Sequence, residues 1–358
     1  MSHGARPVAP GGTIGILGGG QLGRMLAIAA ARLGYRCHVL APEDDCVAAE
    51  VACQFTCAEF TDGAALSAFA SSCDVVTYEF ENVPVDPLGE LGKVPLRAPA
   101  KALEIAQDRI AEKTFVADLG GTTAPFVAVR SKADLARAVE RVGVPGILKT
   151  VRDGYDGKGQ WRIAADTDLS AIDLPGQDLV YEGFVEFDAE FSVILARGTD
   201  GDIVYWDSAR NDHASGILSR CEVPASDAVE THVPAARALA AKVAEALGYI
   251  GVLTLEFFAT RDGPVFNEMA PRVHNSGHWT IEGTRSCQFE NHIRAICGLP
   301  LGDTSRIVER VTMHNLIGAE VEEWPEILAD RHAHLHIYGK QDVREGRKMG
   351  HVTRLFSR

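Results

Sequence analysis

Residues 252–280 read VLTLEFFATRDGPVFNEMAPRVHNSGHWT, two apolar strands joined by a tight turn at residues 261–263. Each strand carries one acid, Glu256 or Glu268, and an antiparallel hairpin can bring both carboxylates onto one face. Buried acids are costly unless they are neutralised. Magnesium is the natural partner, because this hard cation binds one or two carboxylates together with nucleotide phosphates. The hairpin therefore predicts a metal–nucleotide site with Asn267 as a candidate third ligand, and a solvated sheet face is the alternative.

Basic side chains follow this hairpin and recur near the end of the chain. Arg272 offers a planar fork for an oxyanion, and His274 can donate a hydrogen bond or shuttle a proton. The later stretch YGKQDVREGRKMGH places Lys340, Arg347 and Lys348 in one turn-rich segment. In a chain with a net charge of −14, a local basic cluster suggests capture of an anion, and a solvated basic face is an equal alternative.

A glycine-rich loop, GYDGKGQ at residues 154–160, lies between two predicted strands. A flexible cationic hairpin suits a lid over nucleotide phosphates, and an ordinary surface hairpin is the alternative. Lys149 ends the strand before it; taken alone, such a lysine is a phosphate ligand or, preferably, a snorkelling surface residue. Glu182 and Glu190 flank a later strand pair and suit the amine and ribose hydroxyls of a nucleotide, unless they are solvated acids at strand ends.

The N-terminal part opens with a predicted strand at Thr13–Leu17 and a helix at Gln21–Leu33. Between them Gly18, Gly20 and Gly23 satisfy G-x-G-x-x-G, and the unit opens a doubly wound sheet. Glycines without a Cβ let a phosphate approach the N–H groups at a helix N-terminus. A dinucleotide, another phosphate group and plain helix–sheet packing are three open interpretations of this motif.

Length and composition limit the classes of protein to which the chain can belong. The 358 residues suggest two to three domains, the 46% hydrophobic content argues against disorder, and the acidic balance argues against a nucleic-acid-binding surface. The sequence shows neither a signal peptide nor an apolar run of membrane length, so the eight cysteines are expected to be free thiols of a cytoplasmic protein. Cys53 and Cys57 form the one close pair and are expected to be small buried residues rather than zinc ligands.

In order along the chain, these pieces resemble the ATP-grasp superfamily: a central lysine, a glycine-rich lid, acids after the lid, paired strand carboxylates and NEMAPR. More narrowly, ILGGGQLGRM, YEFENVP, GYDGKGQ, NEMAPRVHNSGHWT and GRKMGH resemble the N5-carboxyaminoimidazole ribonucleotide synthetase family of purine biosynthesis. The resemblance runs over essentially the whole chain. It implies an α/β fold with a doubly wound, Rossmann-like N-terminal domain at residues 1–104, an ATP-grasp domain at 105–300 with a lid at about 125–190, and a small β-rich C-terminal domain at 301–358.

The resemblance also implies a reaction. ATP and bicarbonate would give carboxyphosphate and ADP, and the exocyclic amine of 5-aminoimidazole ribonucleotide would then be carboxylated with release of phosphate. ATP and Mg²⁺ are the implied cofactors of a cytoplasmic ligase that is commonly a homodimer and needs no nucleic acid or membrane. The rival interpretations are a formate-dependent glycinamide ribonucleotide transformylase, an NAD-dependent dehydrogenase built on the first loop, and a non-catalytic nucleotide sensor. PRVHNSGHW and GRKMGH favour the carboxylating family.

Site residues carried over from the family fall into three groups. The nucleotide group comprises Arg109 and Lys149 at the phosphates, the lid residues Gly154, Tyr155, Asp156, Gly157, Lys158, Gly159 and Gln160, the adenine-facing Glu182, Gly183, Phe184 and Val185, Glu190 at the ribose, and His213 and Asn267. The metal ligands are Glu256 and Glu268. The bicarbonate and ribonucleotide group comprises Tyr155, Asp156, Lys158, Arg272, His274, Lys340 and Arg347, with the ribonucleotide phosphate held by Gly20, Gln21, Leu22, Lys340 and Arg347. Members of the family carry Arg or Lys at position 158, and the sequence leaves open whether Glu79 or Glu81 faces the substrate.

Overall fold

The computed structural model describes residues 6–154 and 159–357. Its N-terminal unit is a four-stranded parallel sheet flanked by helices, which confirms the predicted doubly wound opening. The strands are β1 (Thr13–Leu17), β2 (Arg36–Ala41), β3 (Gln54–Cys57) and β4 (Val75–Tyr78), with helices α1 (Gln21–Arg32) and α2 (Gly63–Ser71). The spatial order is β3-β2-β1-β4. Because β1 is central and covered on both faces, its residues Ile14, Ile16 and Leu17 are fully buried.

Two helices lead from this unit into a small four-stranded antiparallel sheet. They are α3 (Ala100–Ala106) and α4 (Arg109–Asp118), and α4 begins at Arg109 because the Asp108 carboxylate accepts the N–H groups of Ile110 and Ala111. The sheet contains β5 (Phe126–Val129), β6 (Gly146–Thr150), β7 (Gln160–Ile163) and β8 (Leu179–Gly183) in the order β5-β8-β6-β7, covered by α5 (Lys132–Val142). The glycine-rich loop at 154–160 therefore connects β6 to β7, as expected.

A large sheet forms the centre of the described chain. In sequence order its elements are β9 (Ala189–Arg197), β10 (Ile203–Tyr205), β11 (Ala209–Ala214), β12 (Ile217–Val223), α6 (Asp227–Glu230), α7 (Val233–Ala246), β13 (Gly251–Thr260), β14 (Gly263–Ala270), α8 (Thr280–Gly283), α9 (Gln288–Ile296), β15 (Arg310–Ile317), α10 (Trp324–Ala329), β16 (Ala333–Ile337) and β17 (Lys348–Phe356). The strand order is β14-β13-β9-β11-β12-β15-β17-β16, and β10 pairs with β9. The C-terminal strands thus extend the same sheet that carries the acidic hairpin.

The N-terminal unit packs on the central sheet through helix α9. Their buried side chains form shared hydrophobic clusters, in which α1 lies against α9. His292 joins the two sheets at the packing interface, since its Nε2 lies 2.9 Å from Thr77 Oγ1 and its Nδ1 accepts the Val252 N–H at 3.1 Å. This packing fixes the first glycine loop relative to the strand acids. The domain limits 1–104, 105–300 and 301–358 stay a prediction.

Two observations concern the compositional expectations. None of the helices in the described ranges is long and apolar enough to cross a bilayer. All eight cysteines are free thiols, but Cys53 and Cys57 are exposed, so the expectation that they are buried is wrong. The reason is their position, because β3 lies at the edge of its sheet and these two residues flank or end it.

Candidate active site

The acid pair, Glu256 and Glu268, lies where the sequence predicted it. Strands β13 and β14 are antiparallel and place the two glutamates directly opposite each other. The register shifts after this pair, so that Asn267 is an extra residue in a β-bulge beside them. All three residues line a cavity of about 370 Å³, a size typical of small-molecule sites. The Glu256 side chain is only 11% exposed, so the alternative of a solvated sheet face is wrong.

The two carboxylates of the acid pair have different electrostatic surroundings. Burial, together with the negative charge of Glu268, raises the pKa of Glu256 to about 8. Desolvation also opposes ionisation of Glu268, but Arg109, Lys149 and Lys113 together outweigh it and hold the pKa of Glu268 below its usual value. Arg109 Nη1 lies 3.4 Å from Glu268 Oε2, and the Glu268 side chain is open to the cavity with 43% of its surface exposed. Positive charges of the protein therefore compensate the carboxylate of Glu268 but not that of Glu256.

A lysine cluster, formed by Lys113, Lys149 and Glu182, lies beside the acid pair. Lys149 Nζ is 2.8 Å and Lys113 Nζ is 3.4 Å from the same oxygen, Glu182 Oε2. Lys113 Nζ also donates to the Asn267 carbonyl at 3.1 Å, which ties the cluster to the bulge. Lys149 and Glu182 are both buried, so the surface position preferred for Lys149 from its sequence neighbours is wrong. Burial opposes ionisation of Glu182, but the two lysines hold its pKa below the usual value.

The other oxygen of Glu182, Oε1, is buried and without a hydrogen-bond partner among the described residues. It lies by a narrow apolar slot of about 60 Å³, whose other lining residues include Gly183, Phe184, Val185, Phe187, Phe258 and Phe266. The slot shares Lys149, Phe187 and Phe258 with the large cavity, so the two spaces adjoin. A flat apolar slot with one unpaired acceptor fits an aromatic heterocycle that carries an amino group.

Glu190 on β9 and His213 on β11 face the cavity from neighbouring strands. His213 Nδ1 lies 2.9 Å from Glu190 Oε2, which makes the two side chains an ion pair when the imidazole is protonated. Burial opposes protonation of His213, yet Glu190 and the acid pair outweigh it and raise its pKa. Together the two side chains offer an acceptor and a donor at the edge of the nucleotide side.

The opposite end of the cavity is lined by Arg272, His274, Lys348 and Glu81. Arg272 Nη2 donates to Glu81 Oε2 at 2.6 Å, and His274 Nε2 lies 3.6 Å from Glu256 Oε1. Burial, reinforced by the positive charges of Arg272 and Lys348, holds the pKa of His274 well below its usual value. This basic end therefore contains a neutral imidazole and two cations, and it adjoins the acid pair.

The first glycine loop is capped from inside the protein. Glu79 Oε1 accepts the Gly20 N–H at 2.6 Å, and the Glu79 side chain packs against Gly18, Gly20 and Gly23 so closely that a Cβ at Gly18 would clash. Glu79 is thus the acid beneath the loop, whereas Glu81 is the one that lines the cavity. The loop residues Gly20, Gln21 and Leu22 do not line the described cavity, and a carboxylate occupies part of the helix N-terminus expected to hold a phosphate.

The basic residues of the C-terminal segment, Lys340, Arg347 and Lys348, differ in whether they line the cavity. Lys348 lines the cavity, while Lys340 and Arg347 do not line its described part. Lys340 Nζ donates to the Lys348 carbonyl at 2.9 Å, and Arg347 Nη1 donates to the Asp342 carbonyl at 3.0 Å.

The structure describes part of the lid. Arg109 Nη2 donates to the Gly154 carbonyl at 2.9 Å, Gln160 lines the cavity, and Gly159 has a positive φ of 69°. Tyr155, Asp156, Gly157 and Lys158 lie outside the described residues.

Sequence reasoning missed Lys113, Glu112 and the cavity-facing position of Lys348. Lys113 is four residues after Arg109 on α4, so both project from one helix face, and this spacing after the capping Asp108 was the available signal. Glu112 is fully enclosed, and its Oε1 accepts the Met269 N–H at 2.7 Å. No pattern within the α4 sequence indicates that contact, because Met269 is 157 residues away.

Comparison with protein families agrees with this arrangement. Residues 114–289 match the ATP-grasp domain, residues 12–107 match the ribonucleotide synthetase preATP-grasp domain, and residues 311–358 match the phosphoribosylaminoimidazole carboxylase C-terminal domain. The antiparallel lid sheet and the acid pair on adjacent strands lie within the residues that match the ATP-grasp domain. The chain is therefore an ATP-grasp enzyme.

Relatives over the full length narrow the class. The N5-carboxyaminoimidazole ribonucleotide synthase of Brucella melitensis is 50% identical over 97% of both chains. A crystal structure of the Thermus thermophilus synthetase superposes with a TM-score of 0.89 at 47% identity, covering 96% of this chain and 93% of that one. The Aspergillus clavatus synthase, solved with ADP and 5-aminoimidazole ribonucleotide, gives a TM-score of 0.89 at 29% identity, covering 97% and 94%. The chain belongs to the N5-carboxyaminoimidazole ribonucleotide synthase family.

Proposed function

We propose that this chain carboxylates 5-aminoimidazole ribonucleotide with bicarbonate and ATP, giving N5-carboxyaminoimidazole ribonucleotide, ADP and phosphate through carboxyphosphate. The observation that carries the proposal is a single cavity lined by the acid pair and, beside it, by Arg272, His274 and Lys348. One part suits a metal-bound triphosphate, and the other suits small anions. The ligands named for the Aspergillus neighbour, ADP and 5-aminoimidazole ribonucleotide, support the same division.

The acid pair fits Mg²⁺. Two carboxylates face one another, and the raised pKa of Glu256 shows that burial and repulsion from Glu268 disfavour its ionised form, which the protein's own cations do not offset. Hard oxygen ligands from one or two acids, completed by phosphate oxygens, are what this ion prefers. Glu256 and Glu268 would hold it, with Asn267 beside them. Magnesium bound there would neutralise charge on the transferring γ-phosphoryl group.

The nucleotide then occupies the lysine cluster and its slot. Glu182 Oε1, which is buried and unpaired, accepts a hydrogen bond from the adenine amine, while Phe184 and Val185 contact the ring. Lys149 and Arg109 hold the phosphates, Glu190 binds the ribose, and His213 lies next to it. The lid at 154–160 covers the phosphates and excludes water, because carboxyphosphate would hydrolyse in an open site. Tyr155, Asp156 and Lys158 complete this lid in the proposal.

The basic end handles bicarbonate and the carboxyl transfer. A bicarbonate oxygen attacks the γ-phosphorus of ATP, ADP leaves, and Arg272 stabilises the resulting oxyanion. The amine nitrogen of the ribonucleotide then attacks the carboxyl carbon, phosphate leaves, and a base takes the amine proton. The Ser276 N–H donates to His274 Nδ1, so the neutral ring carries its proton on Nε2 and offers a donor to the cavity. Asp156 is then the stronger candidate for the base.

Several finer points belong to the same proposal. Lys340 and Arg347, with the loop Gly20, Gln21 and Leu22, bind the ribonucleotide phosphate, and Lys348 adds a third cation. The enzyme is proposed to be a cytoplasmic homodimer, which light scattering of the purified protein would test. Its three domains are proposed to follow the limits given from the sequence.

The function is tested by measuring ADP release from ATP. Purified protein with Mg²⁺ is assayed with and without bicarbonate and with and without 5-aminoimidazole ribonucleotide. Full turnover is expected only when both are present, and the product should be the carboxylated ribonucleotide. ADP release that ignores the ribonucleotide but responds to glycinamide ribonucleotide and formate would overturn the proposal. Quenching of NADH fluorescence on mixing would favour the dehydrogenase instead.

A further inference from the structure

Three histidine rings pack against one another near the basic end of the cavity and are called the imidazole stack below. The rings of His336 and His351 are stacked, 4.4 Å apart at an interplanar angle of 7°, and the His278 ring is tilted by 36° against that of His351 with the centroids 4.7 Å apart. His278 and His351 are completely buried. The three rings come from β16, β17 and the turn before α8, so the stack joins elements far apart in the sequence.

Each member of the stack is fixed by a polar neighbour. His336 Nε2 lies 2.7 Å from Glu282 Oε1, and the Gln288 amide nitrogen lies 3.3 Å from His278 Nδ1. The buried Tyr338 hydroxyl lies 2.8 Å from His351 Nδ1. Each of these hydrogen bonds engages one ring nitrogen and so holds the ring orientation, while Nε2 of His278 and of His351 has no hydrogen-bond partner among the described residues.

The stack touches both segments that supply the basic end. On one side, His278 is four residues after His274, which lines the cavity. On the other side, the Lys340 ammonium lies 5.8 Å from the centroid of the Tyr338 ring, within the range of a cation–π contact. Lys340 in turn donates to the carbonyl of Lys348, which lines the cavity three residues before His351.

The two buried rings of the stack, His278 and His351, add no charge to this region. Burial, followed by the neighbouring positive groups, holds the pKa of each well below the usual value. Two neutral rings can pack close to Lys348 and Arg272, whereas imidazolium ions would repel these cations. This tightly held pair of neutral rings is therefore compatible with the dense positive charge at the basic end.

We propose that the imidazole stack and Tyr338 are positioning residues, which hold Lys340 and Lys348 in register with Arg272 and His274 for the ribonucleotide. This inference rests on the proposed function, because it assigns the basic end to that substrate. None of the four aromatic residues is proposed to touch the reacting atoms. The effect of disturbing them should therefore fall on ribonucleotide binding and leave ATP binding unchanged.

The first test is Tyr338→Phe, which removes only the hydroxyl that meets His351. The KM for 5-aminoimidazole ribonucleotide is expected to rise about fivefold, as expected for loss of one ordinary hydrogen bond, with the KM for ATP unchanged. Tyr35→Phe is the matched control, because Tyr35 is equally buried and its hydroxyl donates to the Val8 carbonyl at 2.7 Å in the N-terminal unit. Equal increases in both KM values, or no increase for the ribonucleotide, would overturn the proposal.

A conservative replacement gives a second test. His351→Asn keeps a group at the position of Nδ1 that can donate or accept a hydrogen bond with Tyr338, whereas His351→Leu has a similar size but no such group. The asparagine variant should keep the KM for the ribonucleotide closer to that of the wild type, and indistinguishable variants would argue against positioning through Tyr338. Hydrogen exchange of residues 339–348 in the free protein provides a readout that needs no substrate. Exchange should accelerate in Tyr338→Phe; unchanged exchange would overturn the inference even if the wild-type assay had already contradicted the proposed function.

Discussion

The lysine cluster and the acid pair lie side by side, yet their charges are arranged in opposite ways. In the lysine cluster, two buried ammonium groups share one carboxylate oxygen of Glu182. In the acid pair, two carboxylates face each other and Arg109 compensates only Glu268. The pKa values follow this difference, since that of Glu182 is lowered and that of Glu256 is raised to about 8.

This contrast shows which half of the site the protein completes by itself. A buried ion pair with both partners present is stable as folded, and a nucleotide needs only to replace some of its contacts. Two opposed carboxylates are costly until a cation arrives, so that part of the site is built for a ligand. The predictions below test whether the two clusters differ in this way.

The largest effect is expected from Glu268→Gln. ADP formation should fall by about 10²–10³ or more, because one ligand of the metal-bound triphosphate loses its charge. The fold should be retained, since the change removes repulsion within the acid pair. Glu222→Gln is the control, as Glu222 is also a strand acid but does not line the cavity and pairs with Arg220 and Arg310. Wild-type turnover in Glu268→Gln would refute the metal role.

Substitutions in the lysine cluster should change both the free energy of unfolding and the binding of ATP. Glu182→Met leaves the buried ammonium groups of Lys113 and Lys149 without their shared carboxylate, so the free energy of unfolding should drop by about 3 kcal/mol and the KM for ATP should rise. In the double variant Lys149→Met/Glu182→Met, one of the two repelling ammonium groups is gone, so part of the stability should return while ATP binding stays weak. Lys101→Met, which breaks an exposed pair with Glu104, should change neither quantity. A double variant no more stable than Glu182→Met would contradict the description of Glu182 as the carboxylate that holds two buried ammonium groups together.

The acid pair and the lysine cluster also differ in how far the sequence predicts them. The acid pair was predictable because both acids are in one hairpin, where a short turn dictates antiparallel pairing. The sequence around Lys149 favours a surface position, which is wrong, because its partner Glu182 is 33 residues away on β8. Only the pairing of β6 with β8 brings the two side chains together. A burial pattern along one strand contains no information about such a partner.

The first glycine loop shows the same limit. G-x-G-x-x-G predicted a strand, a tight turn and a helix, and all three are present. The motif does not reveal that Glu79, 59 residues after Gly20, caps this helix. The predicted burial of Cys53 and Cys57 is wrong for a related reason, because the edge position of β3 depends on the order of strands in the sheet. Local elements follow from local sequence, whereas side-chain partners follow from topology.

A smaller effect is expected from Lys340→Ala. It should raise the KM for the ribonucleotide by about tenfold and leave the KM for ATP near that of the wild type, since the residue lies beyond the basic end and away from both clusters. Steady-state kinetics with each substrate varied in turn measures both values. Equal losses for the two substrates would show that the tail acts on the whole site and does not bind the ribonucleotide alone.

The smallest effect concerns Glu112, a carboxyl group between the two clusters. Burial, with the charge of Glu268, raises its pKa to about 8, although the Met269 N–H, Lys113 and Arg109 oppose the shift. From the ordinary value of 4.5 up to about 8, the folded chain keeps a proton that the unfolded chain releases. Stability therefore falls as pH rises through this window and changes no further above it.

Glu112→Gln should remove that pH dependence. Glutamine imitates the protonated carboxyl group and keeps an oxygen for the Met269 N–H. Its stability relative to the wild type should increase by about 1 kcal/mol per pH unit between pH 5 and pH 8, measured by urea unfolding without metal or nucleotide. Glu140→Gln, on the exposed face of α5, should give a difference that does not vary with pH. A constant difference for Glu112→Gln would mean that Arg109 and Lys113 compensate this carboxylate too, and the contrast between the two clusters would then narrow to Glu256 alone.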